Sequence, residues 1–106
     1  MSPKDLEALL NEYKSGLKEL YGSQLRGVYL FGSYARGEQD EESDLDILII
    51  LSDYERYSLE IERTGELTSQ LSLEYGVSIS RKFIKQTDWR NSTIFVKNIR
   101  AEAVSA

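Results

Sequence analysis

The chain has 106 residues, a formal net charge of −5, and neither cysteine nor histidine. Its length suits a single domain over residues 1–106, and 41% apolar with 29% charged residues is ordinary for a globular protein. The missing residue types exclude disulfides, thiolate or imidazole metal sites and Ser-His-Asp triads. The acidic balance argues against direct nucleic acid binding. The absence of cysteine is compatible with a cytoplasmic protein, which we expect. The longest apolar run, Ile47 to Leu51, is too short to cross a bilayer, so we expect no membrane partner.

The first part of the chain predicts a helix, a strand and a short helical turn. A Ser-Pro pair near the N-terminus is typical of a helix start, and apolar residues then recur every three or four positions to about Tyr21. Leu25 to Phe31 is rich in aliphatic and aromatic residues, which favours a strand. A glycine then turns the chain, and Ser33 can cap one helical turn through Arg36.

The second part predicts a strand, a helix, a strand and a helix. Asp44 to Leu51 is predicted as a strand, Glu55 to Tyr75 as a helix weakened at Gly65, and Val77 to Lys85 as a strand. A last helix is predicted from Asp88 through Arg100. These elements together predict a small α+β fold in which helices pack on one face of a sheet.

Two short motifs between the first two strands carry the most chemical information. Gly32-Ser33 is followed, after ten residues, by Asp44-Leu45-Asp46. Because side chains alternate along a strand, we expect Asp44 and Asp46 to share one face, about 6–7 Å apart. Two carboxylates this close repel each other and favour a divalent cation such as Mg²⁺. The glycine would let the backbone N–H groups from Ser33 onward approach a phosphate. The spacing therefore predicts a phosphoryl or nucleotidyl transfer site.

Each of these features also has a simpler interpretation. The Gly-Ser corner could be an ordinary turn, and the two aspartates could be solvated charges at the start of a strand. Arg36 is a candidate nucleotide-binding residue, but it could instead pair with its neighbour Glu38. We interpret the acidic run 38–42 as a hydrated loop. A small basic face could lie opposite the nucleotide, formed by Lys82, Lys85, Arg81 and Arg90, although scattered lysines on a strand usually serve solubility.

Several residues at fixed spacing resemble the signature of the minimal nucleotidyltransferases of the DNA polymerase β superfamily. These residues are Gly32, Ser33, Arg36, Gly37, Ser43, Asp44 and Asp46. The resemblance runs from the first helix to about the third strand and centres on residues 30–50. It implies the polymerase β-like nucleotidyltransferase fold, a small mixed sheet with helices packed on one face.

The resemblance also implies an activity and a partner. Gly32 and Ser33 would hold the triphosphate, and Asp44 and Asp46 would carry the catalytic metal. The family transfers a nucleoside monophosphate from an NTP to an acceptor hydroxyl and releases pyrophosphate. Small members are often antitoxins of a HEPN-type ribonuclease toxin, and some AMPylate a tyrosine of that toxin. We therefore expect ATP as substrate, Mg²⁺ as cofactor and a HEPN-type toxin as partner in a hetero-oligomer.

One position departs from the family pattern. Superfamily enzymes usually carry a third carboxylate on a later strand, which helps to bind metal and to prepare the acceptor hydroxyl. The third strand here has Ser78 or Ser80 for that position, and a hydroxyl cannot act as a base at neutral pH. Glu74 is an acid nearby in the sequence.

Two alternatives to the adenylyltransferase antitoxin remain open. The first is an antitoxin with impaired catalysis that neutralises the toxin by binding alone. The second is a nucleotidyltransferase that modifies a small molecule such as an antibiotic, for which 106 residues leave little room to hold the acceptor.

Overall fold

Helices and strands alternate along the computed structural model, which describes residues 1–91 and 104–105. In chain order the elements are α1 (Pro3–Tyr21), a 3₁₀ turn (Gly22–Gln24), β1 (Leu25–Phe31), α2 (Ser33–Arg36), β2 (Leu45–Leu51), α3 (Tyr57–Arg63), α4 (Gly65–Tyr75), β3 (Ile79–Lys85), α5 (Gln86–Arg90) and β4 (Val104–Ser105).

The strands form one mixed sheet in the order β3-β2-β1-β4. β2 runs antiparallel to β1 and parallel to β3, and the two-residue β4 pairs with β1 at the edge. β2, which contains Asp46, is therefore held by a neighbour on each side. The predicted α+β fold with a small mixed sheet is confirmed.

The first helix begins where the sequence predicts, because Ser2 and Asp5 cap it reciprocally. The backbone N–H of Asp5 donates to the Ser2 hydroxyl at 3.1 Å, and the Asp5 carboxylate accepts the backbone N–H of Ser2. Every fourth residue on one side of α1 is buried against the sheet and α4. These residues are Leu9, Tyr13, Leu17 and Tyr21.

The core lies between the helices and one face of the sheet. Leu45, Ile47 and Ile49 of β2 project to this face and are fully buried, as strand alternation predicts. Burying each such side chain contributes about 1.5–3 kcal/mol. The opposite face carries a smaller apolar cluster around Leu48, where the ring of Trp89 from α5 lies near Tyr29 with the centroids 5.0 Å apart.

The single helix predicted for residues 55–75 is wrong, because the structure has two helices that meet at Thr64. The Thr64 hydroxyl donates to the backbone C=O of Glu60 at 2.9 Å, a bond that competes with regular helix geometry. Arg81 reaches across from β3, and its guanidinium donates to the Thr64 hydroxyl at 2.7 Å and to the C=O of Ile61 at 2.6 Å. Arg81, a residue distant in sequence, thus caps the C-terminal end of α3 and fixes the break between α3 and α4.

Other element boundaries shift by a residue or two. β2 starts at Leu45 rather than at Asp44, and β3 starts at Ile79 rather than at Val77. The predicted last helix, Asp88 through Arg100, overlaps α5, but α5 begins at Gln86 and ends at Arg90, where Asn91 is extended. Residues 92–100 of the prediction lie outside the described residues. Within residues 1–91 and 104–105, no helix is long and apolar enough to cross a membrane.

Candidate active site

The Gly-Ser and Asp-Leu-Asp motifs meet at the end of the sheet where β1 ends and β2 begins. Phe31, the last residue of β1, pairs with Asp46 of β2, so the turn at Gly32 passes directly over the Asp46 side chain. A Cβ atom placed on Gly32 would lie 2.2 Å from Oδ2 of Asp46 and 3.1 Å from its Cγ. Gly32 also has φ +73° and ψ −155°, a conformation almost restricted to glycine. Only glycine can bring the backbone this close to the carboxylate.

The same glycine is the N-cap of the short helix α2, so the prediction that Ser33 caps this turn is wrong: Ser33 is the first residue of the helix, and no side chain of the described residues caps it. The Gly32 carbonyl oxygen accepts the backbone N–H groups of Ala35 at 3.1 Å and Arg36 at 3.2 Å. The two preceding N–H groups, those of Ser33 and Tyr34, come before the first intrahelical bonds, where a helix start leaves its donors to other acceptors. This turn therefore places the start of α2 next to Asp46.

A structured loop leads the chain into the aspartate pair. The backbone N–H of Asp40 donates to the Ser43 hydroxyl at 3.0 Å, and that hydroxyl donates back to the Asp40 carboxylate at 3.2 Å. Asp44 follows as an exposed residue just ahead of β2, whereas Asp46 inside β2 is half-buried. The two carboxylates are two residues apart, as the sequence places them, but only Asp46 has its face fixed by the strand.

Arg36 forms the ion pair that was the simpler of its two interpretations. Its Nε lies 3.0 Å from Oε2 of Glu38, with the two side chains 43% and 66% exposed. Exposed pairs of this kind contribute about 0–1 kcal/mol, so a stronger anion can replace Glu38. The predicted contact of Arg36 with a phosphate stays a prediction.

The sheet register decides which serine takes the place of the third acid. Ser80 is the direct partner of Asp46 in the parallel β2–β3 ladder, so both side chains project to one face. Ser78 lies outside β3, where its carbonyl oxygen accepts the N–H of Leu45 at 2.8 Å. Glu74 is exposed in the last turn of α4. The third position therefore holds a neutral hydroxyl.

The donor set suits a metal ion that is shared with a substrate. Among the described residues, no cluster of three or more acidic, histidine or cysteine side chains could hold a metal. Mg²⁺ commonly binds through one or two carboxylates and completes its shell with water and substrate phosphates. Asp44 and Asp46 fit that pattern, since the Gly32 turn beside them gives phosphates access.

The basic residues of β3 separate onto different parts of the molecule. Lys82 is in register with Leu48 and therefore shares the face of Asp46 and Ser80. Lys85 instead lies 3.4 Å from Asp53, beyond the far end of β2. Strand alternation is the signal in the sequence that separates these lysines, because it puts Lys82 on the same face as Ser80 and Lys85 on the opposite face.

Comparison with known proteins identifies the family of the chain. The family described as nucleotidyltransferase domain matches residues 10–101. The chain belongs to this nucleotidyltransferase family. A Methanocaldococcus jannaschii protein, provisionally named a protein adenylyltransferase, is 37% identical to this nucleotidyltransferase over 79 residues, which cover 74% of the chain and 79% of the relative. The predicted family and enzyme class are thus confirmed.

Solved structures show the same fold. A chain provisionally assigned as a minimal nucleotidyltransferase superposes on this nucleotidyltransferase with a TM-score of 0.68 at 23% identity, covering 98% of this chain and 95% of the other. A chain from a toxin–antitoxin complex with AMP-PNP superposes with a TM-score of 0.64 at 21% identity, covering 90% and 69%. At these identities the likeness confirms the fold alone.

Proposed function

We propose that this nucleotidyltransferase transfers AMP from ATP to a tyrosine hydroxyl of a HEPN-type toxin, with Mg²⁺ as cofactor, and so acts as the antitoxin of that toxin. The observation that supports the proposal is the close approach of the Gly32 backbone to the Asp46 carboxylate, because backbone N–H groups that bind a phosphate would then lie beside a ligand of Mg²⁺. The name of the adenylyltransferase relative and the toxin–antitoxin complex with AMP-PNP, an ATP analogue, support the reaction and the partner class.

In this proposal the two motifs have separate tasks. The backbone N–H groups from Ser33 onward bind the phosphates of ATP, and Gly32 permits their approach. Arg36 exchanges Glu38 for a phosphate oxygen when the nucleotide binds. Asp44 and Asp46 would hold Mg²⁺ against those phosphates, where the ion supplies charge neutralisation at the transferred group.

The transfer itself exchanges one phosphorus–oxygen bond for another. The tyrosine oxygen of the acceptor bonds to the α-phosphorus, the bond from that phosphorus to the bridging oxygen breaks, and pyrophosphate leaves with the electron pair. The hydroxyl proton passes to solvent water, because Ser80 at the third position cannot accept it at neutral pH. Positioning and charge stabilisation therefore carry the catalysis.

The decisive experiment follows the α-phosphate of the nucleotide. The purified chain is incubated with α-labelled ATP, Mg²⁺ and the toxin encoded by the neighbouring gene, and label on the toxin is measured. We expect labelling that requires Mg²⁺ and falls at least about a hundredfold in the variants Asp44→Asn and Asp46→Asn.

Asp53→Asn is the matched control. It removes the same charge from an exposed aspartate beyond the other end of β2 and should leave the labelling unchanged. A toxin that takes up no label, or one labelled equally by the wild type and by Asp46→Asn, contradicts the proposed reaction.

The neutral third position favours a second candidate function, neutralisation of the toxin by binding alone. Ser80 beside Asp46 leaves the site without the acid that prepares an acceptor hydroxyl. This candidate predicts that Asp44→Asn still protects cells that express the toxin. The transfer reaction predicts that the same variant loses protection while it still binds the toxin.

A further inference from the structure

One face of the sheet carries a lysine beside the Asp46 carboxylate. Ser80 pairs with Asp46 and Lys82 pairs with Leu48, and directly paired residues of a ladder project to the same face. Lys82 therefore lies two residue pairs further along the ladder than Asp46, on the same face, and is half-buried. The diagonal separation in such a ladder is about 7–8 Å, within the reach of a lysine with its four-carbon stem.

Two other basic residues of β3 contact groups away from this face. The guanidinium of Arg81 donates to the hydroxyl of Thr64 at 2.7 Å on the helix side of the sheet. The Lys85 ammonium lies 3.4 Å from Asp53 and 5.2 Å from the centroid of the Tyr54 ring. Of these three side chains, Lys82 is the one that shares the face of the candidate active site.

The candidate site needs positive charge on this face. A nucleoside triphosphate brings several negative charges to a place where Asp44 and Asp46 already contribute two. Arg36 is balanced by Glu38 at 3.0 Å. Ser80 is neutral, so a second divalent cation lacks the carboxylate that would help to hold it there. A lysine ammonium fixed on the same face offsets part of this charge and donates hydrogen bonds to phosphate oxygens.

We propose that Lys82 binds the phosphate chain of the nucleotide. Ser80 is at the position of the third acid in this site, and the Lys82 ammonium supplies positive charge in place of a cation that such an acid would help to bind. The inference rests on the proposed function, because it takes a nucleoside triphosphate as the ligand. It assigns to Lys82 a contact with substrate that Lys85, three residues further along β3, does not make.

The test measures nucleotide binding rather than transfer. The affinities for α,β-methylene ATP, which cannot release pyrophosphate, and for adenosine are measured by calorimetry with Mg²⁺ present and no toxin. We expect Lys82→Gln to weaken binding of the triphosphate analogue about tenfold or more and to leave adenosine binding unchanged, since only the former has phosphates. Lys82→Arg should retain most of the affinity.

Lys85→Gln is the matched control, with the same charge removed from the same strand, and should bind the analogue within about twofold of the wild type. If Lys82→Gln binds the analogue as the wild type does, or weakens analogue and adenosine equally, the Lys82 assignment is wrong while the proposed function stands. A wild-type chain that binds neither compound overturns the proposed function together with it. Thermal unfolding of each variant establishes whether that variant is folded. If Lys82→Gln does not fold, Lys82→Arg tests the role of the charge in its place.

Discussion

Replacement of Gly32 by alanine should separate the stability of the protein from the geometry of its candidate site. The new methyl group would lie 2.2 Å from Oδ2 of Asp46, so the carboxylate or the turn must move by about 1 Å before the methyl fits. The residue would also keep a glycine-like conformation at φ +73° and ψ −155°, which strains the fold by about 1–3 kcal/mol.

Gly76→Ala provides the control for strain without a clash. Gly76 ends α4 with φ +65° and ψ 37°, and no atom lies within 4 Å of a Cβ placed there. Alanine in this left-handed conformation costs about 1–2 kcal/mol. Gly32→Ala should therefore lose at least as much stability in urea unfolding as Gly76→Ala, and only Gly32→Ala disturbs Asp46.

AMP transfer to the toxin is the assay that distinguishes them. A displacement of about 1 Å at a catalytic group can lower the rate on the order of a hundredfold, so we expect that loss for Gly32→Ala. Gly76→Ala should transfer at nearly the wild-type rate under conditions where both chains are folded. Equal rates for the two variants would refute the reasoning that the Gly32 backbone sets the position of the carboxylate.

Three further outcomes test contacts in the fold. Arg81→Met should lower the free energy of unfolding by about 1.5–3 kcal/mol in urea titrations, because it removes charged hydrogen bonds at the helix break, and a loss below 0.5 kcal/mol would contradict the capping role. Tyr13→Phe breaks the buried 2.6 Å hydrogen bond to Thr68 and should lower the free energy of unfolding by about 1–3 kcal/mol. The double variant Tyr13→Phe with Thr68→Val should lose less than the sum of the two single variants, and an additive loss would argue against the bond. Burial and a hydrogen bond to a glutamate raise the pKa of Tyr21 above its ordinary value of 10.0, so its contribution to stability is present below pH 10 and is lost as the pH rises further. The free energy of unfolding of Tyr21→Phe should therefore fall less steeply above pH 10 than that of the wild type. Parallel curves for the two proteins would contradict this.

Local patterns in the sequence were sufficient for the elements that form the site. The apolar and aromatic residues in Leu25–Phe31 and from Asp44 to Leu51 predict the two strands, and the Gly-Ser corner predicts the turn between them. These predictions succeed because strand alternation, helix capping and glycine turns depend on neighbours in the chain. Asp46 appears on the predicted face for the same reason.

The features that escaped prediction depend on contacts between residues distant in sequence. The break at Thr64 is fixed by Arg81, which belongs to another element, so Gly65 alone could not reveal it. The choice between Ser78 and Ser80 depends on the register of a parallel pair, which no local pattern encodes. The roles assigned to Asp44 and Asp46 stay predictions.

The central place of β2 in the sheet has a consequence for hydrogen exchange. Its backbone pairs with β1 on one side and β3 on the other, and Ile47 to Ile50 are at most 2% exposed. Their amides should exchange with solvent only when the whole sheet unfolds. The loop 37–43 at its entrance is mostly exposed, so its amides should exchange before those of β2. Among the described residues, Asp46 therefore stands where the slowly exchanging strand meets this loop, and the strand keeps the carboxylate in place when the loop opens.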